Sequence, residues 1–580
     1  MRGIAYVGMA EGHYDPAVAV VRDGEVVAFA EEERFIRFKH AYRIYPSRAL
    51  RFCLDQAGVR PEEIGGMCIN WNVEAYSNGE MAAFYERLGH GFPIDDATRS
   101  WQRGMVANFS SEGMRKRHAL PWRRLFGDLP LPPLRSFPHH FAHALHAYFQ
   151  SPFNEALCLT IDGSGDQHCT VLWECRGTRI RPLREITIPH SLGWFYAAFT
   201  EYLGFQAYDG EYKVMGLAAY GRRDAELAAA VGRVLRPAED GIEYRIDPSF
   251  IHHGPHTWSE RFTDRLPELL GRAPRLADAP VEDWHCNLAF AAQAALEQAV
   301  ERLAVWGLEA SGTSHLCVGG GVGLNVKMNS RLFKLPGVDA VFAQPLCSDG
   351  GAAAGAALAA YAHDTGVRPL PLRSLALGNE QSDEEIQRVF RQCGVPFARP
   401  VDLAEATAKE LAAGAIVGWF QGRMEAGPRA LGQRSVLADP RSIEARDRIN
   451  QVIKYREKWR PFCPSIAAET AEKYFERYCD APFMCIAFDA TDALKKDAPA
   501  IVHVDGTARV QIVHQEDHPL FHRLIAAFAR ETGVPVLLNT SFNVKGEPIV
   551  HDIHDAMRMF FSTAMDVLVA GPFMVHKNRL

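Results

Sequence analysis

The sequence predicts an α/β protein of two domains, the first built on a duplicated strand unit, and three observations carry that reading. The chain has 580 residues, more than one hydrophobic core usually supports. Two similar three-strand units stand in its first third. A proline-bearing stretch of mixed charge, 364–377, then precedes a further run of alternating helix-like and strand-like segments.

The first unit comprises strand-like runs at 4–9, 17–22 and 25–30, with Asp23-Gly24 as a hairpin turn between the second and third. The second repeats the pattern at 156–162, 170–174 and 178–186, with Arg176-Gly177 at the corresponding turn, which suggests duplication. Helix-like stretches follow each unit: 46–57 after the first, then 192–203 and the alanine-rich 287–308 after the second. Residues 75–138 are aromatic-rich with little periodicity, and read as an irregular insertion near a substrate entrance. A small-residue helix at 352–361 leads to the linker. The expected division is therefore a domain at 1–363, a linker at 364–377 and a second α/β domain at 378–580. In the latter, 383–393 and 404–413 read as helices, 415–420 and 534–538 as strands, and 539–543 as a polar loop.

Composition narrows the function. With 47% hydrophobic and 23% charged residues the chain is far from the polar bias of disorder. Its formal charge of -7 makes nucleic acid a poor partner and requires any phosphate site to be a local basic cluster. Twelve cysteines without a C-x-x-C argue against a zinc ribbon or a disulfide framework and fit a reducing cytoplasm. The opening residues are short and mixed, and no apolar run reaches bilayer length, so neither export nor a membrane partner is expected. A homo-oligomer is compatible with this composition.

His139, His140 and His143 stand in His-His-Phe-Ala-His at the start of an expected helix, where positions four apart share a face. His139 and His143 could thus chelate one ion, or merely cap and pack the helix. Asp162 ends an apolar strand in Asp-Gly-Ser-Gly and Asp349 precedes a helix, so both could add carboxylates. Two imidazoles with carboxylates suit Fe(II), Mn(II) or Zn(II). A zinc peptidase helix would need a glutamate where His140 stands, which disfavours that class.

Gly319 to Asn325 follows a strand and opens a helix, so the amides of Gly320, Gly321 and Gly323 could approach a nucleotide, although tight packing alone also explains such a turn. In the second domain Arg423, Arg429, Arg434, Lys454, Arg456 and Arg460 lie close in sequence, interleaved with glycines. Guanidinium forks match phosphate oxygens and an ammonium adds a point charge, so this set suits ATP together with a second phosphorylated substrate; a solvated face is the bland reading. Asn539 to Asn543 offers hydroxyl and amide groups to the same ligand.

With these residues in view, the sequence resembles the carbamoyltransferase family that includes the tobramycin, cephem and nodulation-factor O-carbamoyltransferases. The matching segments include Gly12-His13-Tyr14-Asp15, Glu31-Glu32-Glu33-Arg34, Lys39-His40, His139 to His143, Ile161-Asp162-Gly163, Lys213 to Ala218, Gly320 to Asn325 and Ser348-Asp349. Gly427 to Ser435, Trp459-Arg460-Pro461-Phe462 and Leu538 to Asn543 complete the set, which spans nearly the whole chain in the family's order. The resemblance implies an actin-like (ASKHA), duplicated first domain similar to TsaD, the transferase of threonylcarbamoyl to tRNA, and a YrdC-like second domain. It implies a two-step reaction in which carbamoyl phosphate and ATP, with Mg²⁺, give carbamoyl-adenylate, and the carbamoyl group then moves to a hydroxyl of a small molecule.

Carried over by position, Arg429, Arg434, Lys454, Arg460, Ser541 and Asn543 would hold the two phosphorylated substrates, with Lys454 and Arg460 catalytic. His139, His143, Asp162 and Asp349 would hold Fe(II), and Lys213 with Gly320, Gly321, Gly323 and Asn325 would seat the adenylate. His13 is the candidate general base, its imidazole suited to deprotonating an alcohol near neutral pH. Asp15 would orient it or only cap a turn. The acceptor stays open among aminoglycoside, macrolide, cephem, sugar and polyketide alcohols, as expected of natural-product tailoring. Two other classes remain for comparison: a metallopeptidase, and a non-catalytic actin-like nucleotide-binding scaffold.

Overall fold

The computed structural model describes residues 3–11, 14–91, 94–254, 260–457 and 459–579. The chain forms two compact units, one of residues 1–11, 17–27 and 57–371 and the other of 12–16, 28–56 and 372–580. The break at 371/372 falls within the expected linker stretch, and the second unit also takes in 12–16 and 28–56 from the start of the chain.

The first unit is built on two five-stranded sheets. In one, β1 (Ala5–Ala10) pairs antiparallel with β2 (Ala17–Arg22), β3 (Glu25–Glu31) begins at the edge beyond it, and β4 (Ile64–Ile69) and β5 (Leu134–Ser136) continue parallel on the other side. In the other, β6 (Glu155–Gly165), β7 (His168–Arg176) and β8 (Arg179–Thr187) form the antiparallel meander, while β9 (His315–Gly319) and β10 (Ala340–Ala343) extend parallel from β6. The strand order is the same in both: the first strand of each meander is central, with the rest of the meander on one side and two parallel strands on the other. The expected duplication is thus visible as a repeated topology. β1 is buried throughout and β6 over 156–161, as central strands covered on both faces must be.

Helices cover these sheets. His139–Phe149 and Asp349–Thr365 are packed side by side, and the latter is so rich in glycine and alanine that backbones approach closely: a side chain at Gly355 would meet the Ala142 carbonyl oxygen at 2.0 Å. The helices expected at 287–308 and 352–361 are longer than their apolar cores suggest, running Asp283–Ser311 and Asp349–Thr365.

The insertion corrects the sequence reading. Residues 75–138, expected to be irregular, contain helices Glu80–Gly91, Asp96–Phe109 and Ser111–Phe126. Asp95 and Ser110 cap the second and third by accepting Thr98 N–H and Gly113 N–H. Trp71, Tyr76, Met81, Tyr85, Phe109 and Met114 form their own small core.

The second unit carries a seven-stranded mixed sheet. Its strands are β11 (Val417–Phe420), β12 (Arg434–Ala438), β13 (Cys463–Ala467), β14 (Gln511–Val513), β15 (Val536–Ser541), β16 (Val567–Ala570) and β17 (Phe573–His576), in the order β14-β13-β15-β12-β11-β16-β17. β15 runs on through residues expected to form a loop. Asn539 stays in register with Cys463 and Leu437, and its buried amide donates to Ser465 Oγ and Ala430 O. Among the described residues no helix is long and apolar enough to cross a membrane.

Candidate functional site

In the first unit the structure brings four of the sequence-predicted residues to one point. β6 leads into Asp162, the helix after β5 presents His139 and His143 one turn apart, and Asp349 opens the small-residue helix. One ligand atom from each of the four lies within 4.8 Å of the others. His143 Nε2 is 3.1 Å from His139 Nε2 and 3.2 Å from Asp162 Oδ2, and His139 Nε2 is 3.5 Å from Asp349 Oδ1.

The surroundings fix the ring orientations. His139 Nδ1 donates to the Asn70 carbonyl at 3.2 Å, which leaves its Nε2 lone pair facing the cluster. Its main-chain N–H donates to Asp166 Oδ2 at 2.9 Å, while Asp166 Oδ1 takes Asn72 N–H at 3.0 Å from a left-handed backbone of φ 54°. Burial would push the His143 imidazole down, but the Asp162 and Asp349 carboxylates overcome it and hold the ring up at about 9. Asp162 is opposed by burial too, yet the two imidazoles hold its carboxyl well below the usual range.

His140, in the slot a peptidase would give to its base, turns into the core. Its Nδ1 meets Thr160 Oγ1 at 3.0 Å, and burial keeps the ring neutral. The glycine turn after β9 serves the same cluster: Gly321 N–H donates to Asp162 Oδ2 at 3.2 Å, and Gly320 at φ 81° passes so close to β6 that a side chain there would meet the Ile161 carbonyl oxygen at 2.4 Å. Gly323 lies against Cys347, whose Sγ would be 2.7 Å from an added side chain. Asn325 caps the helix Val326–Phe333 through Met328 N–H and exchanges two amide hydrogen bonds with Gln293. Lys213, on the helix Glu211–Ala218, sets its ammonium 5.4 Å from the Phe205 ring centre. His13 lies outside the described residues. Asp15 Oδ1 is 2.8 Å from His40 Nδ1.

In the second unit the basic residues divide into two kinds. Lys454 is buried with its ammonium donating to Ser541 Oγ at 3.1 Å, Asn543 Oδ1 at 2.7 Å, Asn543 O at 3.0 Å and the Ser541 carbonyl. Burial first, then the charges of Arg456, Arg460 and Lys39, push its pKa well down. Arg460 is 3.7 Å from Glu457, and Arg456 donates to Asn450 Oδ1 at 2.6 Å over the Phe462 ring. Arg429 and Arg509 both lower the Cys485 thiol against the burial that raises it, so they share one neighbourhood, and Arg509 Nε donates to Cys463 Sγ at 2.8 Å.

Arg434 is different. It is fully buried over Phe420, with Nη1 and Nη2 donating to the carbonyls of Gln421, Gly422, Gln433 and Asn379. Arg423 likewise donates to Leu377 O and Gly378 O. The Glu31-Glu32-Glu33-Arg34 run organises the same unit: Glu31 accepts Gly427 N–H at 2.6 Å, Arg34 donates to Gly427 O at 2.5 Å, and Glu32 accepts Ala49 N–H at 2.8 Å. Glu425 then takes the N–H groups of Leu431 and Arg434, shaping the arginine loop from below. Arg509 escaped the sequence reading because it stands alone in a three-residue strand, Thr507–Arg509, with no basic neighbour to mark it.

The first unit thus gathers imidazole and carboxylate donors at one point, and the second gathers basic side chains around Lys454. Comparison with known proteins names the class: residues 6–358 match the carbamoyltransferase N-terminus and 408–577 the carbamoyltransferase C-terminus, and the chain belongs to this family and is a carbamoyltransferase. It is 35% identical to nodulation protein NolNO of Sinorhizobium fredii over 97% of this chain and 79% of that protein. It is 34% identical to the 3'-hydroxymethylcephem-O-carbamoyltransferase of Amycolatopsis lactamdurans over 62% of this chain and 63% of that one. An uncharacterized Synechocystis protein, sll1178, is 35% identical over 99% of this chain and 96% of its own length. Among solved structures, HypF of T. kodakarensis aligns with 63% of this chain and 48% of its own at 13% identity and a TM-score of 0.31, too loose a superposition to carry an argument.

Proposed function

We propose that the chain makes carbamoyl-adenylate from carbamoyl phosphate and ATP at the second unit's basic pocket and spends it on the hydroxyl of a small-molecule acceptor at the first unit's cluster. The observation that carries this reading is the gathering of Arg456, Arg460 and Lys39 around the buried Lys454 amine, a basic group that suits a polyanionic substrate pair. In the first step water takes the phosphoryl group of carbamoyl phosphate, breaking its O–P bond to give phosphate and carbamate; a carbamate oxygen then bonds to the α-phosphorus of ATP, and pyrophosphate leaves. In the second the acceptor oxygen bonds to the carbamoyl carbon, its proton passes to a base, and AMP leaves. Lys454 and Arg460, with Arg429, Arg509, Ser541 and Asn543, hold and neutralise the phosphates; Arg434 acts by shaping the loop that carries Arg429.

The donor set of His139, His143, Asp162 and Asp349 fits a borderline divalent ion, since four ligand atoms already converge and His139 is oriented from behind by Asn70. Fe(II) is the ion we assign. When bound, such an ion supplies Lewis-acid polarisation of a carbonyl or phosphoryl oxygen. His13 is assigned as general base, and the amide of Gly321 holds Asp162 in place. The repeated strand order of the two sheets supports an actin-like first domain, and the mixed sheet of the second unit is compatible with a YrdC-like one. The cephem relative, whose name gives a hydroxymethyl acceptor, supports a small natural-product alcohol.

Mass spectrometry of purified protein with ATP, Mg²⁺ and carbamoyl phosphate tests the reading. A carbamoyl-AMP species is expected, and a panel of alcohols should then show one gaining a carbamoyl unit. Absence of the AMP-linked species would sink the first step.

A further inference from the structure

Arg261 is 1% exposed, yet among the described residues neither its Nε nor its Nη1 meets an acceptor. Among the described residues its side chain makes one hydrogen bond, from Nη2 to Tyr208 Oη. The guanidinium lies between two aromatic rings, with Cζ 5.2 Å from the centre of Tyr208 and 5.6 Å from that of Trp194. Flat aromatic faces attract the cation but satisfy none of its in-plane N–H groups. Burying a charged group with spare donors is costly unless something accepts from them, so this arrangement calls for an anion.

The position of Arg261 is fixed by its main chain. Its N–H donates to Glu201 Oε2 at 2.6 Å, and its carbonyl accepts His252 N–H at 2.9 Å. The site is also next to the metal-ligand cluster. Ser191 Oγ donates to the Asp162 carbonyl at 3.2 Å, Gly193 is held so near that a side chain there would meet Gly163 N at 2.7 Å, and Trp194 Nε1 would be 3.0 Å from a side chain at Gly163. The indole therefore sits on the residue after Asp162, and Arg261 sits on the indole.

We propose that Arg261 is a specificity residue that receives an oxyanion of a substrate, a carboxylate or phosphate, beside the cluster where transfer occurs. The identity of that substrate rests on the reading above: the oxyanion belongs either to the acceptor alcohol or to the phosphate of the adenylate. No bond is made or broken at Arg261; it holds charge and so decides which molecule docks.

The test compares Arg261 with Arg261→Gln by calorimetric binding of AMP, of glycerate and of its neutral methyl ester. Both proteins carry Lys454→Ala, so that anion binding in the second unit is weakened equally in the two and cancels in the comparison. Arg261→Gln is expected to lose about tenfold or more in affinity for one of the two anions, the value of a lost charged hydrogen bond, with methyl glycerate unaffected. Loss confined to AMP assigns the adenylate phosphate, and loss confined to glycerate assigns the acceptor. In thermal melts that anion should stabilise the arginine protein and not the glutamine variant, a response that a merely structural arginine would not produce. Equal binding of both anions by the two proteins overturns the proposal. If the glutamine variant does not fold, Arg261→Lys, which keeps the charge and loses the planar donors, gives the same reading. Failure of the wild-type protein to form carbamoyl-AMP would remove the reaction and leave the binding difference standing.

Discussion

The cluster on the first unit and the basic pocket on the second are both buried, and they balance their charge in opposite ways. Around His143 the charges are complementary: burial lowers the imidazole, but two carboxylates return it to about 9. Around Lys454 they are alike, and burial and three neighbouring cations push the ammonium in the same direction. A complementary cluster takes up a cation by exchanging it for a proton, whereas a crowd of like charges takes up an anion to be relieved of repulsion. We infer that the two regions suit ligands of opposite sign by the same rule.

Removing one member of each should break the comparison most severely. Lys454→Ala is expected to lower the rate of carbamoyl-AMP formation by about 10²–10³-fold or more while the bound metal measured by elemental analysis stays at the wild-type level. Asp162→Asn should do the reverse, losing the metal and the transfer to an alcohol while carbamoyl-AMP still forms. Either variant failing in both assays would mean that the two regions are one functional unit. The pocket also predicts a pH dependence. Because an anion raises the pKa of Lys454, binding takes up a proton, so affinity for inorganic phosphate should weaken as pH rises, seen as proton uptake in calorimetry across buffers of different ionisation heat.

Arg434 sharpens the distinction between residues that bind and residues that build. Its terminal nitrogens are engaged by main-chain carbonyls from four residues, and burial lowers its pKa to about 10 against the pull of Glu425. Arg434→Ala strands those carbonyls and leaves a void, and should cost about 3 kcal/mol or more of stability in denaturant titration. Arg460, whose side chain is 15% exposed and lies 3.7 Å from Glu457, should cost less than about 1 kcal/mol on the same substitution. Similar losses would show that both arginines are structural.

This division is where the sequence was hardest to read. The strands of both meanders were legible because apolar residues and turn signals fall at regular spacing, and the histidine pair because four residues make a helical turn. Clustering in sequence, however, does not separate Arg434 from Arg460, and only the fold shows that the Arg434 guanidinium meets main-chain carbonyls. The insertion hid its helices for another reason. Asp96–Phe109 buries Thr98 and Gln102 beside Met105 and Phe109, so the stripe that packs is half polar, and Ser111–Phe126 carries Pro121 inside it. Asn539, Thr540 and Ser541 looked like a loop because polar residues inside a buried strand are rare, and here an amide network replaces the apolar contacts.

The smallest effect concerns imidazoles that burial keeps neutral. His146 lies one turn beyond His143 on the same helix, and burial, aided by the His143 charge, lowers it to about 3; His118, buried beside Arg117, is lowered to about 3 as well. Both are neutral in the folded protein at pH 6, whereas in the unfolded chain they titrate near 6.5. As pH falls from about 6.5 toward 3 the unfolded state therefore binds more protons, and stability falls by up to about 1.4 kcal/mol per pH unit for each ring. His143 acts on the other side: its contribution is full below the unfolded value and is lost as pH rises through about 9, so it does not mask the acid slope. His146→Leu, which preserves much of the volume, should reduce that slope by one proton's worth between pH 6 and 4, measured from denaturant midpoints at several pH values. An unchanged slope would mean that His146 finds a charge-stabilising partner, and that the carboxylates around His143 are not what sets the two imidazoles apart.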